Sequence, residues 1–346
     1  MGQQGQPMEH LTARAFEIAQ FLERAGWDKA MRKPVTGDAS ARKYDRLSLA
    51  DGTTAILMDS PPETGEDVRP FVAIADHLRV VGLAAPLILH QDADAGLLLI
   101  EDFGDALFAD LIADDPAREI PLYQAAADVL IHLRTTPKPQ LPVCDATWLV
   151  EMVAPLFEWY AQDADATDQA AFTTQFRSFA ERATAGDQVL ILRDYHAQNL
   201  LLLPDRTGVE QVGLLDFQDA LLGPTAYDLV SILQDARRDV SAKVEESIIT
   251  YMLTQTKEDA ARFRTTYAIL GLQRNLRILG IFARLCLRDG KAHYVDMIPR
   301  VWGYVWRNLA HPELEELSAL LTALLPEPTP TFLERMKRQC PHKPIP

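Results

Sequence analysis

The chain has 346 residues, 48% hydrophobic and 24% charged. That composition excludes wholesale disorder, collagen-like repeats and low-complexity architecture, and the length suffices for two domains or one large two-lobed fold. Its 34 basic and 49 acidic residues leave a net charge of −15, so the average surface repels nucleic acid and anionic membranes, and an anionic ligand must meet a local basic cluster.

Cys144, Cys286 and Cys340 are odd in number and far apart, which fits a reducing compartment and argues against a disulfide framework or a cysteine-based zinc site. The longest apolar stretch, residues 80–89, is about half the length of a membrane-spanning helix. The first ten residues, MGQQGQPMEH, lack the apolar segment of a signal peptide, and Gln6 stands where a myristoylation signal wants Ser or Thr. A cytoplasmic location is therefore expected.

In chain order, Leu11, Ala15, Ile18, Ala19 and Leu22 recur at helical spacing until Gly26, which predicts an opening helix over residues 10–25. Tyr44, Leu47 and Leu49 lead into Asp51-Gly52 and then the run from Ala55 to Met58, the pattern of a β-hairpin. After the breaker SPPETGED, Phe71, Ile74, Ala75 and Leu78 predict a helix over 68–81, and the runs PLILH and GLLLIEDFG flank the turn DADA. The order is helix, two strands, helix, two strands. From Gly104 onward long helical patterns dominate, interrupted over residues 187–219 by two short apolar runs around a turn, read as one inserted hairpin. The proline-rich tail from Pro326 is expected to be irregular. The expected fold class is α+β: a small antiparallel β lobe over residues 1–103 and a mostly helical lobe over 104–346.

The segment carrying chemistry is Arg193-Asp194-Tyr195-His196-Ala197-Gln198-Asn199, followed by Leu214-Leu215-Asp216-Phe217-Gln218-Asp219. An Asp, an Asn five residues on, an apolar strand, a turn and a second strand ending in Asp-Phe make the set a phosphoryl-transfer site needs. Asp194 would orient or deprotonate the attacking hydroxyl, and Asn199 and Asp216 would hold Mg²⁺ against the nucleotide phosphates. Singly, each is equally an ordinary turn or cap residue. The combination is what points to a kinase.

These motifs resemble those of the aminoglycoside phosphotransferase-like kinases, which have the bilobal protein-kinase fold and phosphorylate small hydroxylated molecules. The resemblance runs from about Pro34 to Arg300. Within it, GDASARKY, ILMDSPPE, LLIEDFG, RDYHAQN, LLDFQDALLGPTAYDL and LQRNLRILGIFARL are similar to one branch, the anomeric kinases of N-acetylmuramate and N-acetylglucosamine in cell-wall recycling. The resemblance implies ATP and Mg²⁺ as cofactors and an amino sugar as acceptor, with a sugar-1-phosphate nucleotidyltransferase as pathway neighbour. It implies Asp194 as base, Asn199 and Asp216 as magnesium ligands, and Gly37-Asp38-Ala39-Ser40 as the loop over the phosphates. Glu101, Asp102 and Phe103, ending at Gly104, would be the interlobe hinge facing adenine. Without the family, Gly37 alone is equally a plain connecting turn.

Two departures bear on the chemistry. Leu192 stands where the kinase loop usually opens with His, and the strand AILMD has Leu57 or Met58 where a phosphate-pairing Lys is expected. Arg42 and Lys43 are the candidates to replace that cation, since a polyphosphate in so acidic a chain needs a fixed positive partner; both also read as surface residues of a strand.

Further on, Arg274, Arg277, Arg284 and Arg288 form a basic helical stripe, which also reads as a solvated face. Gln273, Arg274 and Asn275 interrupt an apolar pattern and are candidates for contact with an N-acetyl sugar, Arg274 for a carboxylate on it. Asp219 is a further sugar candidate, Asp228 a helix brace, and His196 a positioning residue. The abundant aromatics read as core rather than as a stacking platform. The alternatives are a non-catalytic nucleotide-binding pseudokinase, for which the missing Lys and His speak, and a kinase of choline or an aminoglycoside.

Overall fold

The computed structural model describes residues 13–35 and 42–341. The chain divides into two compact units, one formed by residues 1–105 with 213–218, the other by 106–212 with 219–346. Among the described residues no helix is long and apolar enough to cross a membrane.

The first unit opens with α1 (Ala13–Arg24), stopped at Gly26 with φ 76°. Strands β1 (Met31–Val35), β2 (Lys43–Ser48) and β3 (Thr54–Asp59) precede α2 (Arg69–Val80), and β4 (Ile88–Asp92) and β5 (Leu97–Glu101) follow it. They form one antiparallel sheet in the order β1-β2-β3-β5-β4. The Asp51-Gly52 turn sets the β2–β3 register: Gly52 takes φ 89° and Asp51 Oδ1 accepts from Thr53 N at 2.9 Å, so Leu47 lies opposite Ala55. Alternate residues Leu47, Ala55, Leu57, Leu97 and Leu99 then share a core with Ile18, Phe21 and Leu22 of α1 and with Trp27. The sheet has five strands where the apolar pattern predicts four. β1, MRKPV, buries no side chain, so it carries no alternation to read, and as an edge strand it tolerates Pro34.

The second unit is mostly helical: α3 (Phe108–Asp114), α4 (Glu119–Leu133), α5 (Ala146–Glu151), a π-helical turn (Leu156–Tyr160) and α6 (Ala166–Thr184) precede the strands. Strands β6 (Gln188–Ile191), β7 (Leu200–Leu202) and β9 (Leu221–Pro224), with β8 (Val212–Leu214) opening the segment 213–218 that belongs to the first unit, lead to α7 (Tyr227–Leu233), α8 (Ala242–Thr256), α9 (Ala260–Leu287), α10 (Ile298–Leu309), α11 (Glu315–Leu324) and α12 (Pro330–Gln339). In place of one inserted hairpin there are two strand pairs, β7 with β8 and, outside them, β6 antiparallel to β9. β9 reads LLGP and was hidden by its Gly and Pro.

The 28-residue α9 is the axis of this unit and packs against α6, α7, α10, α12 and the π-helical turn. At Gly280 a Cβ would sit 2.2 Å from the carbonyl carbon of Pro155, so only glycine permits this crossing. Of the tail from Pro326, expected to be irregular, residues 342–346 lie outside the described residues and residues 330–339 instead form α12. Thr329 caps it by accepting from Phe332 N, Pro330 takes a first-turn position, and Met336 and Cys340 are buried, with Cys340 Sγ donating to Cys286 O at 3.1 Å.

Candidate active site

In the second unit, β6 delivers the chain into the loop of residues 192–199, and β7 takes it out. The loop is wound tightly on itself. Asp194 N donates to Leu192 O (2.8 Å), Asn199 N to His196 O (2.8 Å), and Asn199 Nδ2 to Asp194 O (2.9 Å). This turns the Asn199 amide nitrogen inward, the orientation that a cation ligand acting through Oδ1 requires. Tyr195 pins the loop to α4 by donating its hydroxyl to Ala126 O at 2.9 Å.

Asp228, in the first turn of α7, is only 2% exposed and accepts from Leu192 N (2.6 Å) and Arg193 N (2.9 Å). Burial raises its pKa from 3.8 to about 6, against the lowering effect of those two N–H donors and of Arg274. Asp228, expected to brace its own helix, braces the loop instead, and among the described residues the N-terminus of α7 takes no side-chain hydrogen bond. Arg193 holds the left-handed φ of 68°, unusual for a residue other than Gly, Asn or Asp. Its carbonyl accepts from Ser231 Oγ (3.0 Å) and Arg274 Nη1 (3.2 Å). With both ends of the Arg193 peptide held, the half-buried Asp194 that follows is set in direction. The exposed Asp219 joins the same region through its carbonyl, which accepts from Arg193 Nη1 at 3.1 Å.

His196 is buried with Nε2 3.2 Å from Arg237 Nη1 and 3.3 Å from Asn199 Nδ2. Both neighbours donate, so Nε2 accepts and the ring is neutral. Burial, then Arg237 and Arg274, push its pKa well below the usual histidine value, which suits a positioning residue and not a proton shuttle.

Gln273, Arg274 and Asn275 all lie inside α9, at 0%, 8% and 0% exposure. Gln273 Nε2 donates to Leu149 O, and Asn275 Nδ2 to Gln234 Oε1 (2.7 Å) and Gly271 O (2.8 Å). Gln234 in turn bonds Asn308 and Glu245, and Glu245 accepts from Tyr267 and Arg307. The sugar-contacting role expected of Gln273 and Asn275 is therefore corrected: a helix packed on several sides makes their polarity an interior brace. Arg274 alone of the three reaches the loop.

In the first unit, Arg42 Nε is 2.8 Å from Glu66 Oε2, while Lys43, at the start of β2, is exposed. Arg42, Asp216 and Glu66 all act on the Tyr44 hydroxyl, whose pKa burial raises, with Arg42 lowering it and Asp216 raising it further. Arg42 and Asp216, far apart in sequence, thus share one neighbourhood. Asp216 is exposed, holds φ 58° and accepts from Gln218 Nε2 at 2.8 Å, and the adjacent Phe217 stacks on Phe71 with centroids 4.8 Å apart. Glu101 accepts from Leu87 N and faces Arg79, and Asp102 accepts from Gly104 N and pairs with Arg46 at 2.7 Å. Both carboxylates are thus committed inside the unit. Gly37, Asp38, Ala39 and Ser40 lie outside the described residues.

The model of the phosphotransferase enzyme family matches residues 32–264. The chain belongs to that family. A protein of Caulobacter vibrioides named N-acetylmuramate/N-acetylglucosamine kinase is 37% identical over 90% of this chain and 96% of its own. One of the same name from Pseudomonas putida is 35% identical over 84% and 87%. Among solved structures, a choline/ethanolamine kinase family protein of Mesorhizobium loti superposes with a TM-score of 0.62 at 13% identity, covering 90% of this chain and 98% of its own. An aminoglycoside phosphotransferase in ternary complex with ADP and hygromycin B gives 0.58 at 14%, covering 86% and 99%. These two establish the α+β, protein-kinase-like fold, and the family assigns the chain as a phosphotransferase. Arg237, Ser231 and Tyr227 went unnoticed in the sequence as residues around the loop; Arg-Arg after an Asp at the end of a short apolar helix was the one available signal for Arg237.

Proposed function

We propose that this protein transfers the γ-phosphate of ATP, with Mg²⁺, to the anomeric hydroxyl of N-acetylmuramate and N-acetylglucosamine. The reaction class rests on the loop that Asp228, Ser231 and Arg274 hold around Arg193, which sets the direction of Asp194, whose carboxylate has no hydrogen-bond partner among the described residues. The acceptor rests on relatives of that name that match most of both chains.

Asp194 takes or orients the hydroxyl proton, and Asn199 and Asp216 are the magnesium ligands. Bound Mg²⁺ neutralises charge on the phosphates, and it takes few protein ligands because phosphate oxygens and water complete its shell. Asn199 fits that role through its inward-turned amide nitrogen, Asp216 through its exposed carboxylate. Arg42, fixed by Glu66, resembles the glutamate-held lysine with which kinases grip phosphates and is the replacement for the missing strand Lys. Lys43, and the loop Gly37-Asp38-Ala39-Ser40, lie next to it in sequence and complete the nucleotide set with the main chain of Glu101, Asp102 and Phe103. Arg274 and Asp219 face the sugar. A cytoplasmic location, where ATP is available, and a following sugar-1-phosphate nucleotidyltransferase complete the reading.

The test is ADP release with Mg²⁺ and ATP over N-acetylmuramate, N-acetylglucosamine, an aminoglycoside and choline. Turnover is expected on the two N-acetyl sugars, and Asp194→Asn should reduce kcat by about 10²- to 10⁴-fold. Turnover on choline or the aminoglycoside alone would overturn the acceptor assignment; ATP binding without turnover on any acceptor would favour the pseudokinase.

A further inference from the structure

In the second unit, several arginines pair with carboxylates, among them Arg134 with Glu258, Arg238 with Glu119, Arg300 with Asp239 and Arg307 with Glu245. Arg277 on α9 is different. It is half-buried, yet among the described residues it has neither a hydrogen bond nor an ion pair. The charges that act on it are those of the loop: Arg193 and Arg274 repel it, and Asp194 and Tyr227 attract it. Burial, ahead of all of these, presses its pKa below the usual guanidinium value. An uncompensated, partly desolvated cation beside two others is costly in a chain that carries fifteen excess negative charges.

A second anomaly sits beside it. The hydroxyl of Tyr227, a residue 2% exposed, is buried with no hydrogen-bond partner among the described residues, although buried phenols normally find one. Tyr227 packs edge-on against Trp148, with centroids 6.4 Å apart, and Arg193 lies over the Trp148 ring at 5.4 Å. A lone guanidinium and an unpaired phenol next to a half-buried tryptophan thus stand by the residue proposed to meet the acceptor hydroxyl.

We propose that Arg277, with the Tyr227 hydroxyl, receives the carboxylate of an acid-bearing acceptor. The inference rests on the sugar-kinase reading above. The two proposed acceptors differ in one group of the right kind: N-acetylmuramate carries a lactyl carboxylate on O3 and N-acetylglucosamine has a hydroxyl there. A guanidinium fork matches a carboxylate with two parallel hydrogen bonds, and a phenol adds a third donor. The aromatic wall of Trp148 suits the apolar face of a pyranose. When the acid binds, both unsatisfied groups gain partners, whereas the neutral sugar leaves them as they are.

The test is steady-state kinetics of Arg277→Gln and Tyr227→Phe on both sugars, with thermal melting as the control for folding. Arg277→Gln should lower kcat/KM for N-acetylmuramate by about 10- to 100-fold, chiefly through KM, and change that for N-acetylglucosamine by less than about threefold. Tyr227→Phe should shift the ratio of the two in the same direction, with a melting temperature no lower than the parent's, because the hydroxyl it loses is unpaired. An equal loss on both sugars, or a fall in kcat common to both, overturns the proposal and assigns Arg277 to the transferred phosphate. Wild-type protein inactive on both sugars overturns the sugar-kinase reading itself, whereas an active wild type with an unchanged ratio overturns only the carboxylate site.

Discussion

Replacing Asp228 by asparagine separates what this carboxylate costs the fold from what it does for the loop. The move of its pKa from 3.8 to about 6 corresponds to roughly 3 kcal/mol by which the ionised group is disfavoured in the folded protein. The native state holds the proton more tightly than the unfolded chain, so this contribution lowers stability as pH rises from about 4 to about 6 and is fully expressed above that. Asparagine removes the charge and its pH dependence. It also leaves one oxygen to serve two donors, Leu192 N at 2.6 Å and Arg193 N at 2.9 Å, and sets an amide NH₂ against the other, and the buried donors left unsatisfied cost about 1–3 kcal/mol. The two effects oppose and are of similar size, so at pH 7 Asp228→Asn should unfold in urea within about 2 kcal/mol of the parent.

Activity should not be spared. Arg193 is held at φ 68° by these bonds, a conformation disfavoured by about 1–2 kcal/mol, and slackening it misdirects Asp194. We expect kcat to fall by about 10- to 100-fold with a smaller change in KM for ATP. The wild-type acid limb of kcat near pH 6 should be absent from the variant. A folded Asp228→Asn protein with wild-type kcat, or a stability difference between variant and parent that does not change between pH 4 and 7, would refute the reasoning.

Two further substitutions test the packing of α9. Gly280→Ala would place a Cβ 2.2 Å from Pro155 C and 2.4 Å from Leu156 N, both main-chain atoms, and should cost about 3 kcal/mol or more in urea unfolding; a loss under about 1 kcal/mol would mean the crossing relaxes freely. Asn275→Ala should destabilise by about 1–3 kcal/mol through loss of its bonds to Gln234 and Gly271, while KM for either sugar stays the same. A raised KM with unchanged stability would restore Asn275 to the sugar site.

The sequence by itself was sufficient wherever the determinant is local. Asp51-Gly52 specifies a turn whatever surrounds it, the 3.6-residue periods of α1 and α2 are set by which face must leave water, and the run of motifs from GDASARKY to LQRNLRILGIFARL was enough to name the family. It was insufficient wherever the partner is distant. β1 pairs through its main chain and has no buried side chain to mark it. β6 finds β9 some 30 to 36 residues on, and residues 330–339 of the tail become a helix because Met336 and Cys340 have α9 to pack against.

The polar cluster Gln273-Arg274-Asn275 shows the limit most clearly. Polar residues on an apolar helix read identically whether they face a ligand or an interior partner, and the partners here, Leu149, Gln234 and Arg193, come from 41 to 124 residues away. The same limit applies to Arg277, which a helical period places in a stripe of arginines. Only the folded chain decides which of those arginines meets a carboxylate and which is left without one, because the compensation of a charge depends on what surrounds it in space and not on its neighbours along the chain.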